Sequence, residues 1–342
     1  MTTLLLLFCA YPAPAVWVPQ PSGTTARLRG LSVVNDRVAW ASGAGGTVLR
    51  TVDGGKTWQR RIVLDAEALD FRDIEAFDES TAYALSIGAG ELSRIYKTTD
   101  AGATWTLRHV NRDPQGFLDA LAFCDAQHGL TLGDPVEGRF VILTTDDGGE
   151  TWNRRATEGM PEALPGEGAF AASGTCLVTQ GNRNAWFGTG GGRVFRSTDR
   201  GRTWTAHETP IGAGNGTSGV FSLAFRDAEH GVAVGGDYKV TGPADRVAAV
   251  TSDGGRSWRS PQGSGPGGYR SAVAYLAGAQ VLTLVAVGPT GADWSKDGGE
   301  AWTRFGDTGF HAIGSAGMWA AWAVGEDGRI ARFDIREARA KP

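Results

Sequence analysis

The sequence predicts an all-β fold: a seven-bladed β-propeller of four-stranded antiparallel blades, closed by the N-terminal strand. Three observations predict it. An eight-residue motif, [Ser/Thr]-x-Asp-x-Gly-x-x-Trp, recurs six times. Between its copies, short apolar runs and polar or Gly-rich turns keep one order. The last repeat lacks a piece that the N-terminus carries.

The copies run Asp53 to Trp58, Asp100 to Trp105, Asp147 to Trp152, Asp199 to Trp204, Asp253 to Trp258 and Asp297 to Trp302. Their Asp residues are separated by 47, 47, 52, 54 and 44 residues. A period of roughly 40–50 residues is the mark of a repeat architecture. Asp-Gly between apolar runs is a hairpin signal, because Gly takes positive φ without penalty. The Asp carboxylate accepts hydrogen bonds from the turn's own N–H groups. The Ser or Thr adds a hydroxyl to that network, and the Trp folds back as a staple. Each copy reads as a structural turn, with no base, nucleophile or open metal position.

Around each box the chain supplies four strands. In the first repeat the pieces are Leu28–Val34, the turn Asn35-Asp36, Val38–Ser42, the Gly-rich turn Gly43–Gly46, and Val48–Thr51 before the box. Further repeats begin near Leu69, Phe117, Ser218 and Tyr269. Two of them share a turn ending His128-Gly129 and His230-Gly231, so both histidines read as turn residues. Gly188-Thr189-Gly190-Gly191-Gly192-Arg193 is a blade turn, since strand rather than helix follows it. The seventh repeat, from Phe310 through Ile330–Phe333, has no box. Val16-Trp17-Val18-Pro19-Gln20 reads like the strand that follows a box, so it completes the last blade. Ring closure of this kind removes free sheet edges.

These boxes resemble the Asp-box, or BNR repeat, of sialidases, sortilin-like receptors and photosystem II assembly-factor-like propellers. The segments of type Ala39-Trp40-Ala41-Ser42-Gly43 are most similar to the photosystem II stability/assembly-factor-like group. That resemblance implies a non-enzymatic assembly factor or scaffold that binds a protein or peptide partner.

Composition sets the remaining bounds. The chain has 342 residues, 51 of them Gly and 12 Trp, which suits a turn-rich β array. Net charge is −4, which argues against nucleic acid as a partner. Residues 1–15 read as a signal peptide, with the apolar run Leu4–Ala10 and a small-x-small site at Ala13-Pro14-Ala15. The run is too short to span a membrane. The expectation is a secreted or periplasmic monomer, with residues 16–335 as one propeller domain and 336–342 as a polar tail. Cys124 and Cys176 are expected as free, mostly buried thiols. No cofactor or metal is expected.

Function is expected on the rim opposite the boxes, around the channel mouth, where loops sit on a rigid scaffold. Aligned inner strands put Arg29, Arg72, Asp73, Asp119, Arg270 and His311 there, with Asp134 and Arg139 reaching the same rim. Two long loops join them. Arg154 to Ser173 carries Glu167, and Gly236 to Arg246 carries Asp237, Tyr238 and Lys239. The mixed charge suits an anionic or peptide ligand. The alternative is a glycoside hydrolase of sialidase-like architecture acting on a glycan, which needs two carboxylates. Asp119, Glu167 and Asp134 are its candidates, although the Arg-Ile-Pro start of sialidases is missing.

Overall fold

The computed structural model describes residues 16–156, 158–276, 282–317 and 319–334. The expected signal segment, the tail Arg336–Pro342 and Cys9 lie outside them. Seven sheets stand around one axis, each a meander whose first strand is innermost. The first blade is Leu28–Val33, Ala39–Gly43, Thr47–Thr51 and Gln59–Ile62. First strands touch from blade to blade around the ring, and the seventh touches the first. The described residues include two short 3₁₀ turns, Gly90–Leu92 and Glu326–Gly328, and no α-helix.

The ring closes as expected. Val16–Gln20 pairs antiparallel with Ile330–Asp334, with Trp17 opposite Phe333 and Gln20 opposite Ile330. Trp17 packs against Phe305, Phe310 and Phe333, with ring centroids 4.9–5.8 Å apart. Blade five departs from the pattern. Its sheet holds Ser218–Phe225, Gly231–Asp237 and Ala248–Thr251, and a single bridge between Val250 and Arg259 marks the fourth position. The run Ser260-Pro261-Gln262-Gly263-Ser264-Gly265-Pro266 explains this, since Pro lacks a ladder donor and Gly weakens a strand.

The core lies between blades. One apolar cluster joins Val38, Trp40 and Val48 of the first blade to Phe71, Ile74 and Tyr96 of the second. The boxes add polar latches at the outer edge of these seams. In the first box Thr51 Oγ1 donates to Asp53 Oδ1 (2.9 Å) and accepts from Gly55 N (2.9 Å). Asp53 also accepts from Thr57 N (3.0 Å) and Thr57 Oγ1 (2.7 Å). The first box Gly then offers its carbonyl to the preceding blade. Gly148 O accepts from Tyr83 Oη (2.6 Å) and Lys97 Nζ (2.7 Å). Gly254 O accepts from Trp186 Nε1 (2.8 Å) and Arg196 Nε (2.9 Å). In these two seams the second-strand aromatic of one blade fastens the box of the next.

His128 and His230 are turn residues, with Nδ1 2.8 Å from Asp125 and 3.0 Å from Asp227. Cys124 and Cys176 are free thiols, the second fully buried.

Candidate functional site

The mouth is built from irregularities in the inner strands. The pairing of first and second strands slips between Leu28 and Gly30, Phe71 and Asp73, Leu118 and Ala120, and Val220 and Ser222. Each slip leaves one extra residue: Arg29, Arg72, Asp119 and Phe221. A bulge of this kind re-aims a side chain out of the ladder. Arg29, Arg72 and Phe221 line a cavity of about 370 Å³ at the mouth. Phe170, Tyr238, Tyr269, Pro289 and His311 complete its wall.

A strap crosses this mouth. It is the end of the long loop between the third and fourth blades. Ala171 O accepts from Arg72 Nη1 (3.0 Å) and Ala172 O accepts from Arg29 Nη1 (3.2 Å). Ala169 N donates to Asp134 Oδ1 (2.8 Å) and Ser173 Oγ donates to Ser271 O (2.9 Å). Phe170 stacks on Phe221 at 3.7 Å. Gly174 must be glycine, because its φ is +78° and a Cβ there would lie 2.2 Å from Asp73 Oδ1. One segment thereby touches the first, second, third, fifth and sixth blades.

Above the strap the field is cationic. Arg72 Nε donates to Asp70 (2.9 Å), and Arg27 shares the same carboxylate (3.2 Å). Arg29 has no ion-pair partner among the described residues, and its buried Nε has no hydrogen-bond acceptor. Burial, then the neighbouring Arg72 and Arg27, pushes its guanidinium down to about 10. His311 Nε2 lies 2.7 Å from Glu326. Burial and Arg29 push that imidazole down to about 4, so it is neutral at pH 7.

Beneath the strap the field is acidic. Asp73 accepts from Ile74 N (2.8 Å) and Leu121 N (2.7 Å), and burial still raises it to about 7. Asp119 is 1% exposed and neither oxygen has a hydrogen-bond partner. Burial first, then Asp134, holds its carboxyl well above the ordinary range. Asp134 is raised by burial too.

The expected site residues therefore divide. Arg29, Arg72 and His311 meet at the cavity, while Asp73, Asp119 and Asp134 sit under the strap. Three others stand elsewhere. Arg270 turns away from the mouth: its side chain is 0% exposed and paired with Asp293 inside the sixth blade. Its position in the strand is one that in other blades carries a core residue such as Leu28 or Phe310. Glu167 is buried too. Burial would raise its carboxyl, but Arg193, Thr189 and the Leu164 N–H outweigh that and hold it below the ordinary range. Arg139 reaches Glu162 (3.0 Å) on the flank of the loop. Among the described residues, no group of three or more His, Cys, Asp or Glu is placed to hold a metal ion. Phe221, Tyr269, Phe170 and Pro289 are wall residues that the sequence did not mark as a site. For Phe221 the signal was an aromatic at the bulge where neighbouring repeats carry Arg29, Arg72 or Asp119.

The family model described as photosynthesis system II assembly factor YCF48 matches residues 87–219. A structure of YCF48 bound to a D1 peptide superposes with TM-score 0.64 at 18% identity, covering 94% of this chain and 96% of that one. YCF48 from Cyanidioschyzon merolae gives 0.64 at 18%, covering 95% and 100%. An ancestral GH74 enzyme gives 0.63 at 12%, covering 92% of this chain and 45% of that one. Xyloglucanase Xgh74A of Acetivibrio thermocellus is 24% identical over 186 residues. That match takes in 46% of this chain and spans 22% of the xyloglucanase. The chain is a seven-bladed BNR-repeat β-propeller similar to the photosystem II assembly factor YCF48 and, more remotely, to GH74 enzymes.

Proposed function

We propose that this propeller is a non-catalytic assembly factor or scaffold whose mouth binds an extended peptide segment of a partner protein. The observation that carries this is Arg29, a half-buried cation with no carboxylate partner among the described residues. A buried charge without a counter-ion is costly, and a ligand that brings an anionic group offsets that cost. The aromatic wall of Phe170, Phe221, Tyr238 and Tyr269 suits apolar peptide side chains. The strap is held by arginine bonds to backbone carbonyls, which is how a peptide would be held in its place. The YCF48 structure with a bound D1 peptide supports a peptide partner for this fold. Arg29→Ala and Arg72→Ala should each weaken capture of an anionic peptide by about tenfold or more, the worth of a charge-assisted hydrogen bond. Unchanged capture by both variants in a quantitative pull-down would count against the mouth.

A glycoside hydrolase is the second reading. It is favoured by the GH74 likeness and by Asp119, whose raised carboxyl suits a general acid. It predicts release of reducing ends from xyloglucan or another glycan, lost in Asp119→Asn. Inactivity across a broad glycan panel would end it. We also propose export, from the apolar run Leu4–Ala10 and the site after Ala15. Retention of the full-length chain in the cytoplasmic fraction would refute it.

A further inference from the structure

We propose that the box-side end of the central channel binds a small organic cation, an ammonium group on a hydrocarbon body, with the Glu75 carboxylate as its counter-ion. This end is a vestibule of about 570 Å³, within the size range of small-molecule sites. It is walled by the far ends of inner strands, and it shares no lining residue with the mouth cavity. Leu31, Val33 and Val178 give it an aliphatic side, and Thr179, Thr283 and Ser315 a polar one. Thr175, which follows the strap, lies at its inner end. Its hydroxyl is tied to Ser173 (2.8 Å) and Ser222 (2.7 Å).

Glu75 is an acid without a partner in this space. No hydrogen bond or ion pair joins it to a described residue. The other charged wall residue, Arg226, is paired with Asp227 (3.1 Å). Asp73, on the same strand as Glu75, spends both oxygens on backbone N–H groups. Tyr275, from the sixth blade, is raised by burial to about 12 and stays neutral. The vestibule therefore combines an aliphatic side with one carboxyl that no described residue pairs, and once ionised that carboxyl favours a cation with a hydrocarbon body over either part alone. Burial and then Asp73 push Glu75 up to about 8. At neutral pH the carboxyl is protonated, so an ammonium ligand must displace a proton.

The test is calorimetric titration of the full chain with hexylammonium, with hexanol as the uncharged control, between about pH 6 and about pH 9. The expected affinity for hexylammonium rises with pH and levels above about pH 8, the value of Glu75. Glu75→Gln should weaken binding by about tenfold or more and abolish its pH dependence. Val33→Trp, at a half-buried wall position, fills the vestibule without altering charge and should block binding. Circular dichroism confirms that each variant is folded. Wild-type affinity in Glu75→Gln, hexanol binding as tightly as hexylammonium, or no binding at millimolar ligand would overturn the proposal.

Discussion

The two rims of this propeller are made by different rules. The box rim is periodic: hydroxyl, Asp, Gly and Trp recur, and in each copy the hydroxyl donates to the Asp and accepts from the Gly N–H. Thr51 and Asp53, Thr98 and Asp100, and Thr145 and Asp147 are joined at 2.7–2.9 Å in successive blades. The mouth is aperiodic. Its position-equivalent bulges carry Arg29, Arg72, Asp119 and Phe221, three different chemistries at four equivalent positions. Repetition holds the ring together, and departures from repetition make a site.

The largest expected effect tests the first half of that comparison. Trp186 is fully buried, stacks on Phe225 at 3.7 Å, and donates to the box carbonyl of the next blade. Trp186→Ala should cost about 3–5 kcal/mol in urea unfolding. Trp186→Phe keeps the ring and loses the donor, so it should cost about 1 kcal/mol from that bond, plus some packing. A loss below about 1 kcal/mol for the Ala variant would mean that the seams are held elsewhere. Neither variant should change peptide capture at the mouth beyond the loss of folded protein.

This division also explains what could be read from the sequence. The blades, the boxes and the closing strand were legible because a repeated pattern confines each residue to one role. Trp17 could be placed against the last blade for the same reason. The mouth was only partly legible. Arg270 stands near the start of its strand, as Arg29 does, but it takes the position of Leu28, one residue before that of Arg29, and so falls on the core-facing side. The strap was legible as a long loop and not as a cover, because its bonds to Arg29, Arg72 and Ser271 join residues 98 to 143 positions apart. Glu167 counts among the candidate carboxylates of the mouth because nothing local in the sequence shows Arg193 beside it.

The smallest expected effect separates the two ends by pH. Thr57 N and its hydroxyl hold Asp53 at about 2, and the Thr151 hydroxyl and N–H do the same for Asp147. In the unfolded chain an Asp titrates near about 3.9. A depressed folded value gives stability that is present above about 4 and lost as pH falls toward about 2. Asp73, raised to about 7 by burial, has the opposite sign. Its contribution is full below about 4 and is lost as pH rises through about 7, because the unfolded chain releases that proton first. Urea midpoints should therefore fall at both extremes, for reasons at opposite ends of the channel. Asp147→Asn should flatten only the acid limb and Asp73→Asn only the limb between about pH 4 and about pH 7. The slopes are the readout, since either variant also shifts the absolute midpoint by losing acceptor bonds. If Asp73→Asn left the upper limb unchanged, the acids beneath the strap would be titrating as solvent-exposed groups, and the strap would not seal the channel.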